Sequence, residues 1–255
     1  MDTQILNCET QYAKCFCHLY EDETVIRIRD SELEDMYYHN YTNIKQSNKT
    51  NLIDIIKTEI QIRKQEQKDF CNVFIWDNYD NSLLTSFNEK PDVSRNGFYL
   101  FDISEFPKMV GRDDCYVEKV VSQNMIEDIL YCNLQLDEEI LGKHFCQRRC
   151  YRRSKVYLSD DGVNSYVCYY NGKPVGNCDL FVHKNTAKIE DFTVIPNQQR
   201  KGFGTAILKS LINIALKAGC DKIYLVTDEE DTAKNMYQKI GFHKIGERLD
   251  LFFKL

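Results

Sequence analysis

The sequence predicts an α+β (α/β) fold, a mixed, mostly antiparallel twisted sheet flanked by helices. Three observations predict it. Two alternating stretches, 163–170 and 174–183, flank Asn171-Gly172, a pair that tolerates positive φ and so marks a hairpin. A strand over 188–195 is stopped by Pro196 and leads through a glycine pair into a helix over 205–218, which Gly219 ends. Strand 222–227, helix 231–240 ended by Gly241, and one or two closing strands in 242–255 then complete the chain.

Upstream elements follow from the same rules. Strands are expected near 12–20 and over 23–29, the second from the alternation Thr24-Val25-Ile26-Arg27-Ile28-Arg29. Ser31, with Glu34 three residues on, reads as a capping box opening a helix to about residue 41. A long helix covers 52–68, with Leu52, Ile55, Ile56, Ile60 and Arg63 at helical spacing. Strands follow at 71–76 and 97–102. After the loop 106–114 come a strand at 116–121, helices at 123–131 and 137–153, and a short extended piece at 155–158. That loop divides the chain into an N-terminal α/β region, 1–110, and a second domain, 115–255. Strand–helix–helix–strand–strand occurs in both, so the first region reads as a degenerate half-repeat of the second.

Composition narrows the class. With 43% hydrophobic and 28% charged residues, the 255-residue chain is an ordinary globular protein with cores that need no staples. No apolar run approaches the ~18–20 residues of a membrane span, and the opening Met1-Asp2-Thr3-Gln4 lacks a leader's basic and apolar regions. A cytoplasmic protein with no membrane partner is the expectation. The net charge of −6 argues against nucleic acid. Residues 1–110 carry 19 acids against 12 bases, the remainder 20 against 21, so the acidic excess is N-terminal. The 11 cysteines are odd in number and scattered, as reduced thiols are. Cys15, Cys17 and His18 lack a second half at zinc-like spacing and sit in the alternating stretch 13–19. A strand carrying thiols is expected there, and no metal.

Chemistry concentrates between 188 and 208. The apolar stripe Leu208, Leu211, Ile212 and Ala215 defines an amphipathic helix. The first N–H groups of that helix have no internal partner and lie at the positive end of its dipole. Gly202 and Gly204 clear side chains from them. Strand, turn and helix start together form an anion cradle. It lacks the lysine of an ATP P-loop and the third glycine of a dinucleotide site.

The segment Gln199-Arg200-Lys201-Gly202-Phe203-Gly204 instead resembles the Gln/Arg-x-x-Gly-x-Gly/Ala signature of the GNAT (Gcn5-related N-acetyltransferase) superfamily. A second block, Thr232 to Phe242, resembles that family's Ala-x-x-x-Tyr-x-x-x-Gly-Phe segment, and the likeness covers about 115–255. It implies the acyl-CoA N-acyltransferase fold. It also implies acetyl-CoA as cosubstrate, with its pyrophosphate on Gln199, Arg200, Lys201, Gly202, Phe203, Gly204 and Thr205. Its pantetheine arm and acetyl group would lie along the backbone of Phe192, Thr193 and Val194. Tyr237 matches the general acid that protonates the departing thiolate.

The base is Glu190 or Asp191. Strict alternation puts Glu190 with Phe192 and Val194 and Asp191 with Thr193, whereas the bulge common in this family's strand reverses the parity. Glu230 stands where many members have an asparagine. The run Arg148, Arg149, Arg152, Arg153 and Lys155 reads as a solvated helix face. Family substrate selection maps to about 130–138, which names no substrate class. The resemblance implies a primary amine as acceptor, on a small molecule or a protein. A non-catalytic acyl-CoA-binding module is the second reading.

Overall fold

The computed structural model describes residues 1–45, 52–76, 81–87, 89–159 and 162–255. In chain order it contains α1 (Thr3–Phe16), β1 (His18–Glu21), β2 (Val25–Arg29), β3 (Tyr41–Ile44), α2 (Leu52–Gln65), β4 (Phe70–Trp76) and β5 (Asp92–Phe101). There follow β6 (Cys115–Lys119), α3 (Gln123–Leu141), α4 (Lys143–Tyr157), β7 (Asn164–Tyr170), β8 (Lys173–His183) and β9 (Thr186–Val194). The last four are α5 (Phe203–Lys217), β10 (Lys222–Asp228), α6 (Ala233–Lys239) and β11 (Phe242–Lys254).

The strands form one sheet in the order β1-β2-β3-β4-β11-β5-β10-β9-β8-β7-β6. Neighbours are antiparallel except β3 with β4 and β9 with β10. The fold class is therefore the expected mixed, mostly antiparallel sheet with helices on both faces. Each parallel pair is joined through a helix, α2 or α5, as parallel strands require. β5 lies between β10 and β11, while β11 lies between β4 and β5. The last strand of each stretch thus crosses to pair beside the other's.

Alternation along the strands sorts the cores. Ile223 and Leu225 of β10 join Ile207, Leu208, Leu211 and Ile212 of α5, while Tyr224 of the same strand packs with Ile5 and Cys8 of α1 and with Ile126 of α3. α2 buries Ile56 and Ile60 against Leu249, Leu251 and Phe253 of β11. One sheet face thus carries α2, α5 and α6, and the other α1, α3 and α4.

Four expectations are corrected. Residues 12–20 are not a strand, because α1 runs to Phe16. Asp2 caps that helix by accepting from the Gln4 N–H at 2.8 Å, and Ile5, Cys8 and Phe16 form its buried stripe. The helix expected from Ser31 is absent: only a 3₁₀ turn, Tyr37–His39, precedes β3. Asn40 holds that segment in turns, donating to the carbonyls of Leu33 and Met36 while accepting from the Asp30 N–H. Helix α3 continues through 130–138 and breaks at Gly142, whose φ of 79° suits glycine. The piece at 155–158 is the end of α4. Among the described residues, no helix is long and apolar enough to cross a membrane.

Candidate functional site

The site begins where β9 and β10 part. Their parallel pairing runs from Thr186↔Lys222 to Ile189↔Leu225 and stops, although β9 continues to Val194 and β10 to Asp228. The register of β8 against β9 slips between Asn177 and Asp179, so β9 carries one extra residue there, and Asp191 takes φ +51°. Parity reverses across this bulge. Lys188 and Glu190 share the α1 face, their side chains 2.8 Å apart, whereas Phe192 and Val194 belong to the α5 core. The strict alternation of Glu190 with Phe192 and Val194 is thereby overturned.

The gap opens into a cavity of about 430 Å³ that Glu190, Asp191, Phe192 and Tyr237 all line. Tyr237, on α6, is 7% exposed, its ring edge-on to Phe192 and Phe242 at centroid distances of 6.2 and 6.0 Å. Burial pushes its phenol above the ordinary tyrosine value. It stays protonated through neutral and mildly alkaline pH.

Charges on the opposite wall are paired. Lys188, 5% exposed, holds Glu9 of α1 at 2.7 Å and Glu190 at 2.8 Å, with its ammonium 4.4 Å from the Tyr12 ring centroid. Burial works against this ammonium, but the two glutamates outweigh it, and its pKa lies above the usual lysine value. Arg153 of α4 donates to Asp179 Oδ2 at 2.6 Å, to Tyr157 Oη at 2.6 Å and to Tyr12 Oη at 2.9 Å. It also comes within 4.0 Å of Asp191. Asp179 is fully buried, and burial raises its carboxyl despite the guanidinium.

The basic run is only partly a solvated face: Lys155 and Arg148 stay exposed, while Arg149, Arg152 and Arg153 are largely covered. Arg148 pairs with Asp35, Arg149 with Asp137, Arg152 with Asp30 and Lys155 with Glu32. Three of these acids belong to the acidic N-terminal stretch.

The predicted phosphate loop lies beside the cavity and does not line it. Arg200 and Gly202 adopt φ +58° and +86°, and α5 starts at Phe203. Gln199 ties the loop back by donating to the Val194 carbonyl at 3.0 Å, and Lys201 does so by donating to the Asn197 carbonyl at 2.7 Å. Thr193 is buried, paired across the sheet with Asn177. Gly204 faces Phe192 and Met236, and an added Cβ would stand 3.1 Å from Phe192 Cζ. Phe192 thereby joins the helix start, with Thr205 in its first turn, to the cavity. Glu230 is exposed on the turn before α6.

Residue-level reasoning missed Arg112. Its Nη1 donates to the Lys201 carbonyl at 3.0 Å, its guanidinium lies 4.4 Å from the Phe203 ring centroid, and its stem packs where a Cβ on Gly202 would stand. It also missed the α1 wall, Glu9 and Tyr12, although Asp2 and the 5/8/16 spacing signalled that helix. The first-turn N–H groups of α5 can hold an anion, and the parted strands can admit a thioester arm from the α5/α6 face. The α1/α4 face contributes Glu9, Tyr12, Arg149 and Arg153 to the cavity wall.

Comparison with known proteins agrees with this geometry. Residues 128–242 match the model of the acetyltransferase (GNAT) family. An uncharacterized N-acetyltransferase, CgeE of Bacillus subtilis (strain 168), is 31% identical over 122 residues, which is 46% of this chain and 46% of that protein. The chain thus spans about half the length of that curated relative. A functionally unknown conserved protein from Staphylococcus epidermidis ATCC 12228 shares the fold over 93% of this chain and 94% of its own, with a TM-score of 0.78 at 21% identity. A GCN5-related N-acetyltransferase from Kribbella flavida does so over 98% and 94%, with a TM-score of 0.72 at 10% identity. The stretch that matches the GNAT acetyltransferase family model, 128–242, is the one that holds the motifs, the parted parallel strands and the α5 N-terminus.

Proposed function

We propose that the protein is an N-acetyltransferase that moves the acetyl group of acetyl-CoA to a primary amine by direct attack. The observation that carries this reading is the parting of β9 and β10 beside the α5 N-terminus, with Tyr237 and the 190/191 carboxylates on one cavity. Residues 199–205 hold the pyrophosphate, propped by Arg112, and the backbone of Phe192, Thr193 and Val194 guides the pantetheine arm. The acyl carbon then sits in the gap, reached by the amine from the α1/α4 face.

An ammonium first gives a proton to Glu190 or Asp191, directly or through water. The free amine attacks, the C–S bond breaks, and Tyr237 donates to the sulfur as it becomes a thiolate. Glu190 is bound by Lys188, whereas Asp191 has its nearest cation 4.0 Å away, so both carboxylates remain available to this step in different degrees.

The same reading divides the chain into an N-terminal α/β region, 1–110, and an acetyltransferase domain, 115–255. Without the Ser31 helix, residues 1–110 do not form the expected strand–helix–helix–strand–strand order; a half-repeat is supported instead by β2–β3–α2–β4–β5 having the order β8–β9–α5–β10–β11, each with one parallel pair. All 11 cysteines are free, as suits a reducing cytoplasm.

The test is acetyl-CoA with a panel of small and peptidyl amines, reading free CoA thiol, beside calorimetry of acetyl-CoA alone. Amine-dependent release that Tyr237→Phe suppresses supports transfer. Tight binding with no release for any amine would instead favour a non-catalytic acyl-CoA-binding module.

A further inference from the structure

Outside the acyl-transfer machinery, one cluster of ligating side chains is assembled from three separate elements. Cys17 follows α1, Asp30 follows β2, and His39 ends the 3₁₀ turn before β3. One donor atom from each lies within 4.8 Å of the other two. Asp30 and His39 are buried, and Cys17 and His39 line the same cavity as Glu190 and Tyr237. The carboxylate is fixed from behind. Its Oδ1 accepts from Arg152 Nε at 3.1 Å and from the Glu32 N–H at 3.0 Å, which leaves Oδ2 to His39 Nδ1 at 2.8 Å. The His39 ring is stacked on Phe16, centroids 5.3 Å apart, so its orientation is set by packing.

We propose that Cys17, His39 and Asp30 form a binding site for a borderline-soft divalent cation of the zinc type, open to the cavity. A sulfur, an imidazole nitrogen and a carboxylate oxygen are the donor set such an ion takes. Tetrahedral bonds of ~2.0–2.3 Å require donor separations of roughly 3.3–3.6 Å. The Cys17 sulfur therefore moves in by about 1 Å while His39 Nδ1 and Asp30 Oδ2, now 2.8 Å apart, open by about 0.5 Å, and the cavity supplies the fourth position. Binding forms an M–S bond and releases the Cys17 thiol proton to solvent; the His39 ring proton moves from Nδ1 to Nε2, and the His39–Asp30 hydrogen bond is replaced by one bond from each residue to the metal. Arg152 keeps its hold on Oδ1 and orients the carboxylate as an outer-shell partner does. The site stands independently of acetyl transfer. An ion there would offer an acceptor's oxygen or nitrogen a place to dock on the α1 wall.

The test is titration of the full, reduced chain with cobalt(II) chloride, read by the near-ultraviolet thiolate-to-cobalt charge-transfer absorption, followed by zinc displacement. The expected result is one equivalent per chain, about one proton released, and loss of the band in Cys17→Ser. Asp30→Asn should weaken binding by at least the roughly 10–100-fold that an outer-shell loss alone costs. Cys15→Ser, with the neighbouring thiol removed, should retain the band and so exclude adventitious coordination. Cys17→Ser differs from the parent by one atom, and unchanged circular dichroism certifies its fold. No thiolate band in the parent protein, or a band of equal strength in Cys17→Ser, overturns the site.

Discussion

Replacing Arg153 with Met tests the electrostatics beneath the cavity without needing an acceptor. Arg153 is 6% exposed, and its guanidinium faces Asp179, which has no exposed surface. It is the 2.6 Å partner of Asp179 Oδ2, and Asp179 Oδ1 has no hydrogen-bond partner. Met preserves the apolar stem and removes the neutralising cation, leaving the carboxyl the Tyr157 hydroxyl, which donates to Oδ2 at 2.7 Å. Breaking a buried pair from one side costs about 3–5 kcal/mol, unless the acid takes up a proton. Burial already raises Asp179 with the guanidinium pulling against it, so removing Arg153 raises it further.

The sign follows from proton counting. An acid whose folded pKa lies above its unfolded value, about 3.9, binds more protons folded than unfolded in that interval. Stability there falls as pH rises. The Arg153→Met deficit should therefore be smallest near pH 5, where Asp179 is neutral in both proteins, and larger at pH 8.5. The difference should be at least the ~1.4 kcal/mol that one unit of added pKa shift represents. Urea unfolding at the two pH values measures it. Arg153→Met with Asp179→Asn should recover most of the loss, since no charge is then left buried. A deficit under about 1 kcal/mol at pH 8.5, or one that does not depend on pH, would refute the reasoning.

Other outcomes follow from the cavity itself. Tyr237→Phe should lower amine-dependent CoA release by roughly 10²–10⁴-fold while leaving acetyl-CoA affinity and melting temperature near those of the parent, because only the hydroxyl is lost. Burial raises the Tyr237 phenol, so its acid role persists upward in pH. The parent kcat should show no falling limb from this group below about pH 10, and one that disappears in Tyr237→Phe would contradict the assignment. Glu190→Gln combined with Asp191→Asn should lower kcat with a good amine by roughly 10²–10⁴-fold, read from initial rates of CoA release. Arg112→Ala removes a charged hydrogen bond to the Lys201 carbonyl, worth about 1.5 kcal/mol at the low end, and should weaken acetyl-CoA binding about tenfold in calorimetry.

The C-terminal elements were legible because their signals are local. Asn171-Gly172, Pro196, Gly219 and Gly241 each end or turn an element within a residue or two of the structural boundary. The N-terminal signals conflict. Around residues 13–19 a two-residue alternation overlaps the tail of a helical stripe, and burial of Phe16 against Tyr157 of α4 and His39 decides for the helix. Ser31 and Glu34 match a capping box, yet Asp30 and Asn40 offer the same backbone better partners in turns. Arg152 and Lys155 look solvated in sequence because Asp30 and Glu32, their partners, lie more than 100 residues away. The N-terminal excess of acids was the one trace of that pairing.

Strand order explains why the cavity needs both parts of the chain. β5 comes from before the 106–114 loop, yet it pairs with β10 through Tyr224↔Leu100 and with β11 through Phe242↔Phe101. Without it, β10 would lose its antiparallel neighbour, and the edge that positions Thr227 and Asp228 at the cavity mouth would be unpaired. β11 in turn carries Arg248 from the last strand of the chain to the N-terminal side of the cavity, where its guanidinium lies 3.7 Å from the Phe74 ring centroid and pairs with Asp250. Each stretch thus supplies the strand that completes the other's half of the sheet. The 106–114 loop marks a boundary in sequence, while the hydrogen-bonded sheet and the cavity wall run across it. The cavity wall against α1 is therefore built from residues held in place by strands from both stretches.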